Sequence, residues 1–289
     1  MKKLKKRFSR LVLSFDCSQA GYSSYAVDPY HLEYESGAYR QEELIAVLRD
    51  ALPHFGLTHE EYLRLKNDDD IGEMYRLAMS RISKAKAFKK GDYGELLLFL
   101  MLYFNYDAQR FVTKVRLRSS SKDQIKGFDC AHFTVSDSDE VRLWLGEVKF
   151  YKSFSGAIKD VCDEIQEHID EGYLKDEFSI LCPNIEANHN VDLPEIIEEY
   201  LDNSVPLDQV KIVIPALVTY ETALIKKYQS IDEFFRERFE KHFQQQFKYI
   251  EENVEITLPN NIEVFFVLLP LEDVAAIKNK LDFFEQVYR

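Results

Sequence analysis

The sequence predicts a mixed α/β fold with an α-β-β-β-α-β core. Two observations predict it. From residue 91 onward, segments with helical spacing of apolar residues alternate with strand-like segments, and no long polar linker separates them. The composition, with 46% hydrophobic residues, ten glycines and eight prolines, excludes collagen-like and low-complexity chains. We therefore expect a helical extension over residues 1–90 and one α/β domain over residues 91–289.

The predicted elements follow from these local patterns in chain order. The core consists of a helix over Tyr93–Phe104, strands near Arg110–Arg118 and over Ile125–Val135 and Val141–Tyr151, a helix over Gly156–Ile169 and a strand over Phe178–Cys182. The elements that follow are a short helix near Ile196–Tyr200, a strand over Val210–Val218, a long helix over Ile231–Asn253, a strand over Ile262–Leu269 and a helix from Leu271. These additions make the C-terminal part mixed α/β as well.

The first ninety residues are predicted to be irregular at first and then helical. One amphipathic helix opens near Glu43 and is expected to end at Pro53, Thr58 caps a second helix, and a third spans Ile71–Ser83. This part contains no catalytic pattern. We therefore expect the functional residues in the core.

The cysteines and the apolar runs bear on location. The four cysteines are widely spaced without a C-x-x-C pair, which indicates reduced thiols and no structural zinc. The longest strongly apolar run, Leu96–Phe104, is about half of a bilayer span. The basic start resembles a secretion signal, but its apolar stretch at Leu11–Leu13 breaks off. We expect a cytoplasmic protein.

The strand over Val141–Tyr151 carries the most informative residues. Because side chains alternate along a strand, Glu147 and Lys149 share one face with Leu143 and Leu145. Both faces are apolar up to residue 147, which is typical of a buried central strand. A buried carboxylate and ammonium are unfavourable unless they are paired with each other or bound to something. The alternatives are a catalytic site and a structural lysine–carboxylate cluster.

The preceding strand predicts a second carboxylate opposite Glu147. A hairpin loop over Ser136–Glu140 sets a register that pairs Val135 with Val141, Phe133 with Leu143 and Ala131 with Leu145. The same register brings Asp129 opposite Glu147, and like charges at that separation destabilise a sheet. A cation between them removes the conflict. Oxygen ligands alone favour Mg²⁺ or Mn²⁺ over zinc.

A third carboxylate precedes the sheet. Glu95 follows Gly91-Asp92-Tyr93-Gly94 and lies in the first turn of an apolar helix. It is either a further metal ligand or an acid that complements the helix dipole, and the sequence leaves both open.

These motifs resemble the PD-(D/E)xK nuclease superfamily. The segments Lys126-Gly127-Phe128-Asp129 and Gly146-Glu147-Val148-Lys149-Phe150-Tyr151 follow Gly91-Asp92-Tyr93-Gly94-Glu95 in the order of that superfamily. Phe128 stands where the superfamily name has proline. Over most of the chain, these segments and the overall length more narrowly resemble the HamA family, the nuclease subunits of the Hachiman anti-phage defence system.

The resemblance implies a restriction-endonuclease-like core that cleaves DNA with bound Mg²⁺ or Mn²⁺. Asp129 and Glu147 would bind the metal, helped by Glu95 and the Val148 carbonyl, and Lys149 would be catalytic. Gln166 is a possible counterpart of a superfamily glutamine on the helix after the lysine. A helicase partner of the HamB type is implied, because this chain has no G-x-x-x-x-G-K-[ST] phosphate loop.

Two other functions remain open. The first is a catalytically silent adaptor for a helicase, against which the intact set of Asp129, Glu147 and Lys149 argues. The second is an RNA-directed nuclease, which the sequence does not separate from a DNA nuclease.

The charge distribution bears on nucleic-acid binding. The chain carries a net charge of −13, yet residues 84–126 carry +6 and the remainder −19. We call residues 84–126 the basic island. Its charge alone is typical of an ordinary solvated surface, but its position beside Asp129 and Glu147 favours contacts with phosphates. The candidate nucleic-acid-binding residues are Lys114, Arg116, Arg118, Lys122 and Lys126. The acidic remainder predicts weak DNA binding by the free chain.

Two further groups have simpler interpretations. His132 is predicted to pack in the core. The acidic segment from Asp163 to Glu177 is predicted to be a solvated helix face or a surface for a partner.

Overall fold

A computed structural model describes residues 1–18, 21–82, 91–113, 127–136, 140–169, 174 and 209–288. The helices in this part of the chain are α1 (Lys2–Leu11), α2 (Gln41–Gly56), α3 (His59–Asn67), α4 (Ile71–Ser80), α5 (Asp92–Asn105), α6 (Phe154–His168), α7 (Glu233–Asn253) and α8 (Val274–Tyr288). The strands are β1 (Val12–Ser14), β2 (Ala26–Leu32), β3 (Tyr34–Glu35), β4 (Ala38–Tyr39), β5 (Gln109–Thr113), β6 (Cys130–Val135), β7 (Val141–Phe150), β8 (Lys211–Glu221) and β9 (Ile262–Leu271).

One mixed sheet organises these elements. Its seven strands run in the order β1-β2-β9-β8-β7-β6-β5, and β3 and β4 form a separate hairpin. Strands β5, β6 and β7 are antiparallel neighbours, whereas β7, β8, β9 and β2 are joined by parallel pairing. β8 is buried along nearly its whole length, as expected for a central strand whose two faces are both apolar. The predicted mixed α/β fold is confirmed.

The elements of the predicted core differ in how much of them is described. The helices α5 and α6 and the strand β7 lie where the sequence places them. β6 begins at Cys130, so Asp129 precedes the strand instead of lying within it. Residues 114–126 and the predicted elements at Phe178–Cys182 and Ile196–Tyr200 lie outside the described residues.

The two faces of β7 meet different helices. On one face, α5 packs against Gly146, Val148 and Phe150. This approach requires glycine, because a Cβ at Gly94 would lie 3.0 Å from the Cβ of Phe150 and one at Gly146 would lie 2.8 Å from Leu98 Cδ2. The other face carries the odd-numbered residues from Val141 to Lys149 and meets α6.

The expectation of an irregular N-terminus is wrong. α1, β1 and β2 are regular elements, and β2 pairs in parallel with β9. Leu11, Val27 and Leu32 are fully buried in the same core as the central strands. The pairing of β2 could not be predicted from local patterns, because its partner β9 is distant in the chain.

The helices after β4 follow the sequence with two corrections. The third helix, predicted over Ile71–Ser83, ends at Ser80 as α4. α2 continues three residues beyond Pro53, the predicted end, to Gly56. The predicted cap is confirmed, since Thr58 Oγ1 accepts a hydrogen bond from Glu61 N and the Glu61 side chain accepts one from Thr58 N.

Four of the five phenylalanines of α7 lie inside the protein, whereas Phe234 is 74% exposed. Phe235, Phe239, Phe243 and Phe247 recur every fourth residue and are all fully buried. In the part of the chain that is described, no helix has the length and apolar character needed to cross a membrane.

Candidate active site

The hairpin of β6 and β7 has the predicted register. Val135 pairs with Val141, Phe133 with Leu143 and Ala131 with Leu145. The loop is closed by Ser136 N, which donates to the Glu140 carbonyl at 3.0 Å. The last paired residues are Cys130 and Gly146, so Asp129 and Glu147 are the next residues on each side.

Asp129 is fixed by the backbone of β7. Its N–H donates to the Gly146 carbonyl at 2.9 Å, and its Oδ2 accepts a hydrogen bond from Val148 N at 3.0 Å. Because a strand N–H lies in the plane of the sheet, this bond holds the Asp129 carboxylate at the edge of β7, where β6 has ended. The carboxylate is thus oriented before any ligand arrives.

Glu147 is buried beside a histidine. The residue is 1% exposed, and its Oε1 lies 2.8 Å from Nδ1 of His168 at the end of α6. The imidazole also makes an edge contact with the Phe128 ring, at 4.9 Å between ring centroids. The His168 ring therefore lies between the Phe128 ring and the Glu147 carboxylate.

Lys149 is a buried ammonium surrounded by acids. Only 8% of its side chain is exposed, and its Nζ donates a hydrogen bond to Oε2 of Glu164 on α6. Burial opposes the charge, but the hydrogen bond to Glu164 and the negative charges of Glu147, Glu164 and Asp129 outweigh it. The pKa of Lys149 is raised, so the side chain is charged at neutral pH.

A third contact continues this pattern. Burial, and then the neighbouring Asp160 side chain on α6, raise the pKa of Tyr151, which lies just after β7. Two residues of a strand span about 6.6 Å and four residues of a helix about 6 Å, so alternate strand residues meet successive helix turns. We call the three contacts the β7–α6 pairs: Glu147–His168, Lys149–Glu164 and Tyr151–Asp160.

Glu95 reaches the same end of the sheet from the other face. It is 4% exposed and lies in the first turn of α5. Burial, and then the charges of Asp129, Glu147 and Glu95, raise the pKa of the Cys130 thiol well above its usual value. Three carboxylates therefore act on one buried sulfur. Both interpretations of Glu95, metal ligand and helix-terminal acid, fit this position.

The donor set suits a hard cation with few protein ligands. Among the described residues, no three His, Cys, Asp or Glu side chains are grouped closely enough to hold a metal together. Mg²⁺ is usually bound through one or two carboxylates and keeps several waters. Asp129, oriented by Val148 N, and the neighbouring Glu147 fit that requirement with oxygen donors alone.

The match to a known family covers all of these elements. The model of the HamA family matches residues 6–287. The chain belongs to the HamA family. Family membership indicates a protein of the Hachiman antiviral defence system. No curated protein sequence matches the chain.

Sequence reasoning missed two side chains of this HamA site. The predicted solvated face of the segment from Asp163 is confirmed at Asp163 and Glu167, which are exposed, but Glu164 and His168 also contact Lys149 and Glu147. A signal was present, because both residues continue the spacing of the buried Ala157 and Val161 along α6.

Two other predicted residues of the HamA chain lie elsewhere. Gln166 Oε1 accepts a hydrogen bond from Thr257 N at 3.1 Å, so this glutamine is engaged away from Lys149. His132 is a core residue as predicted. It is fully buried, with Nδ1 3.1 Å from the Ala108 carbonyl, and burial lowers its pKa to about 4.

The predicted nucleic-acid contacts fall largely outside the described residues. This applies to Lys114, Arg116, Arg118, Lys122 and Lys126, and to Lys84, Lys86, Lys89 and Lys90 of the same basic island. Arg110, the member that is described, donates to the His54 carbonyl and lies over the Phe99 ring, 5.8 Å from its centroid. Its guanidinium serves internal packing.

Proposed function

We propose that the chain is a metal-dependent nuclease that cleaves DNA phosphodiester bonds as the effector of a Hachiman defence complex with a helicase. The observation that carries the proposal is the arrangement at the end of β7. A carboxylate oriented by the backbone, Asp129, lies beside the buried Glu147, and a charged, buried lysine follows on the same face as Glu147. Family membership supports the defence context.

Each residue has a separate task in this proposal. Asp129 and Glu147 would hold Mg²⁺ or Mn²⁺, with the Val148 carbonyl as a further candidate ligand. Glu95 would join them only if its side chain moved closer on metal binding. The bound ion would polarise a phosphate oxygen and lower the pKa of a bound water. Lys149, kept charged by its acidic neighbours, would stabilise the negative charge that develops on the phosphate. The hydrogen bond from Val148 N would keep Asp129 in place through the reaction.

A helicase partner would compensate for weak DNA binding by this acidic chain. The net charge of −13 opposes binding of a polyanion by the free chain. A partner with its own grip on DNA would raise the effective concentration of substrate at the site without new contacts from this chain. The basic residues between Lys114 and Lys126 are proposed to contact phosphates near the cut.

The test compares Lys149→Ala with a matched lysine. The purified chain, alone and with its helicase, is assayed on duplex DNA, single-stranded DNA and RNA with Mg²⁺ or EDTA. We expect Lys149→Ala to cut DNA about 100-fold more slowly or worse, because a positioned charge is lost. Lys241, whose side chain is 57% exposed on α7, is the control, and Lys241→Ala should cut like the wild type.

Other outcomes assign the alternatives. Undiminished cutting by Lys149→Ala would reject the catalytic role of this site. Preferential cutting of RNA would point to an RNA-directed nuclease. Stable helicase binding without cleavage of any substrate would indicate an adaptor.

A further inference from the structure

In the described part of the chain, Lys149 has three acidic neighbours, and they are not equivalent. Asp129 and Glu147 belong to the end of the sheet and are the proposed metal ligands. Glu164 belongs to α6, and its side chain is 44% exposed, whereas that of Lys149 is 8% exposed. Nζ of Lys149 hydrogen-bonds this third, outer carboxylate.

We propose that Glu164 is a positioning residue that holds the Lys149 ammonium against α6 and thereby leaves the Asp129 and Glu147 carboxylates available to a divalent cation. The inference rests on the proposed function, since it concerns the same metal site. In this inference, α6 positions the Lys149 ammonium, a role that does not follow from the strands or from the family match.

The reason is competition between two cations for the same acids. Glu147 lies two residues from Lys149 on the same face of β7, within reach of a flexible lysine stem. A buried ammonium needs a partner, because water does not solvate it there. Without Glu164, the acids among the described residues that remain within electrostatic range of Lys149 are Glu147 and Asp129. An ammonium paired with them would have to be displaced before a metal ion could bind.

The neighbouring contact points the same way. His168 lies at 2.8 Å from one oxygen of Glu147, one helical turn after Glu164. The same face of α6 therefore contacts both the lysine and a proposed ligand, as outer groups around metal sites commonly do. Of the two α6 side chains, Glu164 is the one that carries a charge opposite to that of Lys149.

The experiment measures metal binding in the absence of DNA. The full chain is titrated with Mn²⁺, and both the heat of binding and the rise of Tm are recorded. Glu164→Ala should raise the Mn²⁺ concentration at half-saturation about tenfold, the lower end of the effect usual for residues that orient metal ligands. Glu164→Gln, which keeps the shape of the side chain, should shift it in the same direction and serves if the alanine variant folds poorly.

Two further variants make the result specific. In Glu164→Ala combined with Lys149→Met, the competing ammonium is gone, so the Mn²⁺ half-saturation should return to near the wild-type value. Glu167 is exposed on the same helix. Glu167→Ala removes the same charge there and should leave the wild-type value unchanged.

The outcomes separate this inference from the proposed function. Unchanged Mn²⁺ binding in Glu164→Ala and Glu164→Gln, or weak binding that persists in the double variant, would overturn the positioning role while the metal site stands. A wild-type chain that binds no Mn²⁺ would refute the metal site itself, and the positioning role with it.

Discussion

Over residues 147–150, the two faces of β7 are buried to a similar degree and differ in what meets them. Val148 and Phe150 are 7% and 3% exposed, and Glu147 and Lys149 are 1% and 6% exposed. The first pair packs against α5 at a point where only glycine fits, and the second contacts acidic and imidazole side chains of α6. Burial alone therefore does not distinguish the face that carries the proposed site. The chemistry of the facing helix does.

The largest effect on stability is expected on the α5 face. Phe150→Ala should lower the free energy of unfolding by about 3–5 kcal/mol, because a buried ring is lost and a cavity remains. The Lys278 ammonium, 5.4 Å from the centroid of this ring, would also lose its contact. Urea denaturation measures the change. A loss below about 1 kcal/mol would contradict close packing on this face.

A smaller effect is expected from adding one carbon on the same face. Gly146→Ala would place a Cβ 2.8 Å from both Cys130 Sγ and Leu98 Cδ2, and such overpacking destabilises by about 1–3 kcal/mol. Gly156→Ala in α6 is the matched change, because its nearest contact would be 3.4 Å. It should stabilise by about 0.5–1 kcal/mol in a thermal or urea melt. Equal changes in stability at both glycines would show that α5 does not approach β7 unusually closely at Gly146.

The last effect concerns pH and again belongs to the α5 face. His132 packs on Phe99 of α5 and has a pKa lowered by burial to about 4, against about 6.5 when unfolded. Between those values the unfolded chain binds the proton and the folded chain does not, so stability falls as pH falls. The slope from this histidine is at most about 1.4 kcal/mol per pH unit.

His132→Leu tests this dependence in urea melts at several pH values between 4 and 6.5. The variant should show a shallower slope than the wild type. Part of the slope should remain, because burial also lowers the pKa of His242 to about 4. An unchanged slope would show that His132 is not held neutral.

The contacts on the two sides of β7 differ in how far they follow from the sequence. The register of β6 and β7 follows from the loop length and three apolar pairs, so it predicts Asp129 beside Glu147. Local patterns do not reveal which turn of α6 lies over Lys149, because that depends on how helix and sheet dock. The sequence therefore predicts a solvated Glu164 and does not predict its contact with Lys149. Similarly, Pro53 ends a helix by local rules, but α2 continues to Gly56.

The pairing of β2 with β9 links the site's scaffold to the timing of protein synthesis. About 230 residues separate the two strands, and β9 also supplies one edge of β8. At translation rates of about 5–20 residues per second, β9 is synthesised on the order of ten to fifty seconds after β2. The complete sheet therefore forms only after β9 has left the ribosome. In a chain that ends before β9, β8 lacks its neighbour on one side. The part of the sheet around Glu147 and Lys149 is therefore completed late in synthesis.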